Sequence, residues 1–267
     1  MNPDQVLTMR SKSEYNVKIP SDKASTCSIT GICSLPSGHV IVVDNTNKKV
    51  ILLDKSCNVS SHCDVSDPPL DICPITSSEV AVTVMCDVQF ISISNGQLVI
   101  GRKMELSHYA VGIAHHQGAL YITDYTALYH YPLTGTLAKK IYEDTGGDWT
   151  VFKCALSPDG ERIFVTNITN HKLLTLAKDG AHLSTFTDSF LHYPNGLHVT
   201  PAGQVLVCVH GSVTVIQVDH EGRKKLATLA SKKDGLRGPL SVCYNTNTHQ
   251  IIVGQNNNNK ITVMELQ

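Results

Sequence analysis

The stretch ITGICSLPSGHVIVVDNTNKKVILLD, Ile29 to Asp54, reads as a short apolar strand, a Pro/Gly turn, a β-branched strand ending in Asp, a polar loop and a second apolar strand. Outward from it, the same phrase returns along the whole chain. The apolar anchors of its first strand fall at Ile32, Ile72, Ile113, Cys154, Leu197 and Val242, spaced 40, 41, 41, 43 and 45 residues apart. After each anchor comes a run rich in Val, Ile and Thr: VIVVD, VAVTV, LYITD, IFVTN, VLVCV and IIVGQ. Such side chains suit a pleated, half-buried surface. A repeat of about 40 residues with several strands per unit is the signature of a β-propeller. The turns keep the same register. LPSG, SPDG and TPAG fill one slot, and AKDG, DHEG and PLTG fill another. In each, Gly accepts the positive φ that closes the hairpin, and in the first slot Pro pre-sets the turn.

Six copies predict an all-β, six-bladed propeller occupying residues 14–267, with residues 1–13 as an N-terminal extension. The last copy stops at its third strand, KITVMEL. The alternating segment Glu14 to Ile19 is expected to supply the missing outer strand and close the ring. Closure removes two raw sheet edges.

Composition narrows the function classes. The formal charge of −1 does not suit a generally basic nucleic-acid binder. No apolar run approaches the length of a membrane span, and the N-terminal residues lack the apolar core of a signal peptide. The nine cysteines form no CxxC pair. Cys33, Cys73, Cys154 and Cys243 sit in first-strand positions, where a reduced thiol packs as a small hydrophobe. A cytoplasmic chain is expected, monomeric when isolated, with no membrane contact.

The pattern carried by Gly31, Ile32, Pro36, Gly38, Val43, Asp44, Asn47 and Val50, and in part by Gly196, Leu197, Pro201, Gly203 and Val207, resembles the NHL repeat. The chain looks like the NHL propeller of tripartite-motif proteins. Val84, Val209 and Gln255 depart from the pattern at the Asp position. The resemblance implies a non-catalytic recognition module of a ubiquitin ligase, binding a protein or peptide on its loop face. Ligase activity would need a RING domain, whose Cys/His spacings the chain does not show. An RNA-binding propeller is the alternative that the same resemblance allows.

A propeller gathers its loops around one axis. The face carrying the loops into the first strands and the second-to-third strand turns is therefore the expected binding face. There the sequence offers Trp149, Lys153, Lys172, His192, Tyr193, Asn195, Arg237, Lys48, Tyr125 and Lys260 as partner-binding candidates. Trp149, the one tryptophan, lies in the Gly-rich loop TGGDW. With Tyr193 and Arg237 it fits an interaction hot spot. A metal-dependent, lactonase-like hydrolase is a further possibility of the architecture. Only Asn195, in YPNGL, matches a ligand position; SITGI and GPLSV offer no acid. One oxygen does not hold a hard cation, so no metal, no cofactor and no catalytic residue are expected. His115 and His116, in the lower turn of the third copy, are expected on the surface.

Overall fold

The computed structural model describes residues 2–3 and 5–267. Six four-stranded antiparallel sheets form a ring, making a six-bladed β-propeller. One 3-10 turn, Lys232–Asp234, is the helical element among the described residues. Blade one consists of Ile29–Ser34, Val40–Asp44, Lys49–Leu53 and Val59–Asp64 from the axis outward. The other inner strands are Pro69–Pro74, Ile113–His116, Cys154–Leu156, Pro194–Val199 and Pro239–Asn245.

The six anchors of the repeat are equivalent in three dimensions. Ile32 pairs with Val42, Ile72 with Val82, Ile113 with Ile122, Cys154 with Val165, Leu197 with Val207 and Val242 with Val253. Each anchor lies in a cluster of buried apolar side chains. Six such clusters run around the ring, joining neighbouring blades, as where Cys33, Ile41 and Val43 meet Ile72 and Val82. Each fully buried Val, Leu or Ile contributes roughly 1.5–3 kcal/mol.

The Asp and Asn of the first copy also acquire a physical reason. Asp44 Oδ1 accepts from the Ser28, Thr46 and Asn47 amides, while Asn47 Nδ2 donates to Asp44 Oδ2 at 2.7 Å. The fully buried carboxylate thus fixes the second-to-third strand turn and ties it to the loop entering the blade.

The ring closes as expected but in a shifted place. The sixth blade's outer strand is Met9–Asn16, paired with Lys260–Leu266 from Met9↔Leu266 to Asn16↔Lys260. The expected segment began at Glu14 because Val17 and Ile19 extend its alternation. In the structure these two residues leave the sheet and are buried against Ile29, Ile261 and Val263. Further upstream the chain reaches blade five. Gln204 Nε2 donates to Gln5 O at 2.7 Å, Gln217 Nε2 donates to the same oxygen at 2.9 Å, and the Leu7 amide donates to Gln217 Oε1 at 3.0 Å.

Candidate functional site: the axial channel

The inner strands run in one direction along the axis, so equivalent residues form layers. In four blades a β-bulge interrupts pairing near the start of the inner strand, for instance between Ile29 and Gly31 and between Pro69 and Asp71. A bulge leaves one residue out of the ladder. The residues skipped in blades one and two are Thr30 and Leu70. Their carbonyls both accept from Lys153 Nζ, at 2.7 Å for Leu70, and Asp71 Oδ1 lies 3.1 Å from the same ammonium. Asp71 Oδ2 in turn accepts from the Ile113 amide at 3.1 Å. One lysine from blade four therefore bridges to blades one and two.

The layer holding this pair is otherwise Gly31, Gly112, Gly196 and Ser241. At Gly112 a Cβ would come within 2.7 Å of the Lys153 backbone, and at Gly196 within 2.3 Å of Leu240 O. Burial pushes the Asp71 carboxyl above its ordinary value; Lys153 and the Ile113 amide act against that rise.

On the far side of the pair lies a channel of about 280 Å³. Its walls include the layer Cys33, Cys73, Ala114, Ala155, His198 and Cys243, all in equivalent register. It widens towards the lower face, where Ser34, Pro74, His115, Leu156, Val199 and Tyr244 surround the mouth. Burial disfavours the thiolate form of these cysteines. Burial raises Cys33 and Cys73 well above the ordinary thiol value, and Cys243 up to about 11.

The imidazoles are the polar groups that remain available. Burial pulls His198 down to about 4 and lowers His115 as well. The His198 imidazole makes no hydrogen bond among the described residues, and His116 Nε2 is a buried nitrogen without a partner. His115 Nε2 accepts from the Gly118 amide at 3.1 Å. The expectation of surface histidines is thus corrected: both residues are half-buried and line the channel, because they end the inner strand Ile113–His116 and do not sit in the turn after it.

The low value of His198 makes stability depend on pH. An unfolded histidine titrates near 6.5, so between about pH 6.5 and 4 the unfolded chain binds more protons than the folded one. Stability is lost as pH falls through that window. At pH 4.5 the wild type should lose about 2 kcal/mol more than His198→Gln, allowing for water in the channel. Asp71 acts with the opposite sign in both proteins and cancels in the difference. Urea unfolding at pH 7 and 4.5 measures it; equal losses would show that His198 is not buried in a charge-excluding site.

The residues expected on the upper face divide into three groups. Trp149 and Tyr125 do come together, with ring centroids 5.0 Å apart, and Phe152 and Tyr109 extend the cluster. His192 and Tyr193 gather around His171, at 5.1 and 4.6 Å. Tyr125, Trp149, His171 and Tyr193 all have positive φ, from 55° to 85°. One left-handed residue recurs in the second-to-third turn of every blade, including Tyr125 and His171, so there it belongs to the repeat. Trp149 and Tyr193 lie outside that turn, and both side chains are about half exposed.

The cations fare differently. Lys153 is 3% exposed and faces the axis instead of solvent. Lys48 pairs with Asp67 and Lys260 with Glu14. Lys172 is half-buried and Arg237 exposed, neither with an acidic partner among the described residues. Asn195 stands in the vestibule layer with Thr30, Leu70, Val111, Phe152 and Leu240, none of which offers a carboxylate. The sequence missed Asp71, His198 and the thiol layer as one site. The available signal was register, each residue lying one place before or after an anchor.

No family model matches the chain, and no curated protein matches it in sequence. Its likeness is to solved propellers. Virginiamycin B lyase from Staphylococcus aureus is 11% identical over 96% of this chain and 99% of its own, with a TM-score of 0.68. A luciferin-regenerating enzyme is 13% identical over 96% and 95% of the two chains, with a TM-score of 0.71. A protein of unknown function from Bacteroides thetaiotaomicron is 12% identical over 96% of this chain and 76% of its own, with a TM-score of 0.74. At such identities the likeness is one of fold.

It nevertheless overturns two expectations. The recognition module of a tripartite-motif ligase finds no support in any family match, and the expectation of a non-catalytic chain fails because named enzymes stand among the similar propellers. The alternatives fare no better. The cations that an RNA-binding upper face would use are depleted by the burial of Lys153 and the pairing of Lys48 and Lys260. A metal-dependent hydrolase finds only Asn195 in the vestibule.

Proposed function

We propose that the chain is a propeller enzyme acting on a small, mostly apolar organic molecule inside the axial channel. The reaction class is proton transfer between substrate and imidazoles, as in an elimination. The observation that carries this reading is the His198, His115 and His116 set in a cavity that the Lys153–Asp71 pair also lines. Imidazoles in a small concave site, those of His198 and His116 without a side-chain partner, are groups that take up and return protons. The buried thiols, held protonated, argue against covalent catalysis. In keeping with this, virginiamycin B lyase has a catalytically inactive variant in which one histidine is replaced by alanine.

The blades are of NHL type on this reading, supported by the Asp44–Asn47 turn of the first copy. Nine free cysteines support a reducing compartment such as the cytoplasm. No helix among the described residues is long and apolar enough to cross a membrane.

Profiling a small-molecule extract by mass spectrometry, before and after incubation with the protein, tests the proposal. Depletion of a compound by wild type, lost in His198→Gln and His116→Ala with the fold intact, is expected. Turnover unaffected by both, and abolished instead by Trp149→Ala or Tyr193→Ala, would move the site to the upper face.

A further inference from the structure

Among the described residues, one group of side chains brings metal-ligating atoms together, and it lies away from the channel. Asp22, Cys27 and Asp44 each place one such atom within 4.8 Å of the others. Asp22 and Cys27 belong to the segment linking the closing strand to blade one, and Asp44 ends the second strand of that blade. None of the three lines the channel.

We infer that this cluster is a zinc site that pins the closing segment to blade one. Cys27 and Asp44 are completely buried. Asp44 Oδ1 is committed to three backbone amides, while Asn47 Nδ2 donates to Asp44 Oδ2 at 2.7 Å and lies 3.8 Å from Cys27 Sγ, a donor that a bound metal would displace. Asp22 Oδ2 accepts from the Ile19 amide at 2.8 Å, but Asp22 Oδ1 is shut off from water and has no hydrogen-bond partner. A carboxylate oxygen so placed, facing a second carboxylate, is costly unless a cation stands between them. Lys18 does not serve, since its ammonium donates to Ser25 O at 2.8 Å and forms no ion pair among the described residues.

The donor set selects the metal. Magnesium and calcium take oxygen ligands, whereas zinc accepts thiolate and carboxylate together. The fixed outer oxygens of Asp22 and Asp44 orient the inner ones, as the surroundings of a metal site do. Zinc binding displaces the Cys27 proton to solvent and leaves a zinc–thiolate bond.

The test uses the full chain, stripped with chelator and dialysed against zinc or cobalt(II). One zinc per chain is expected by elemental analysis, with a higher melting temperature than the stripped protein. Cobalt should give a sulfur-to-metal charge-transfer band in the near ultraviolet. Both signals should be lost in Cys27→Ser and in Asp22→Asn, the second at a partly exposed position that should leave the fold intact. Failure of the wild type to retain zinc or to show the cobalt–sulfur band overturns the inference. So does retention unchanged in both variants, which would place the metal elsewhere.

Discussion

Removing residues 1–20 should lower the melting temperature by roughly 10 °C or more. The cut takes away the seven-pair ladder between Met9–Asn16 and the last strand. It also takes Val17 and Ile19 out of the cluster shared with Ile29, Ile261 and Val263. The two side chains alone account for roughly 3–6 kcal/mol. For a domain of this size each kcal/mol moves the midpoint by about 2–4 °C. Loss of the outer strand also strips the cover from Ile261 and Val263 and leaves an open sheet edge. Differential scanning calorimetry of both proteins decides the matter, and a shift below about 3 °C would mean that closure contributes little.

Lys153→Met should destabilise the protein by about 3–5 kcal/mol, because it leaves the Asp71 carboxylate buried without its cation. It also deprives the Thr30 and Leu70 carbonyls of their donor. Replacing both charged groups, as Lys153→Met with Asp71→Leu, should recover at least half of the loss. The desolvated charge then disappears along with its partner, whereas Thr30 and Leu70 are only partly buried, so that water can take the place of the lost donor. Urea denaturation midpoints of the single and double variants separate the terms. A double variant no more stable than the single would show that the carbonyl contacts, and not the ion pair, hold the axis together.

The architecture was legible because a propeller writes its geometry into a period. Turn residues at Gly38, Gly160 and Gly203 all have positive φ, and the anchors fall into equivalent register pairs. The closing strand was misplaced by five residues at its start, since Val17 and Ile19 alternate like strand residues while serving as a buried crossing.

The site was less legible. Lys153 reads as a loop cation, and only the bulge carbonyls of two other blades and Asp71 explain its burial. His198 sits in the run GLHV, where nothing local marks it; its surroundings come from residues up to 165 positions away, such as Cys33. Exposed aromatics were easier to find, because Trp149 in a Gly-rich loop has no periodic reason to be buried.

The join between the first strand and the last also orders events in time. Glu14 and Lys260, 246 residues apart, meet only after every other blade has been synthesised. During that interval Met9–Asn16 waits without its partner. Its sequence, MRSKSEYN, is suited to waiting: Arg10, Lys12 and Glu14 discourage pairing with a stranger's edge. The polar character of this strand, inconspicuous in the finished ring, thus protects the nascent chain, and apolar substitutions there should increase aggregation during synthesis more than they alter the folded protein.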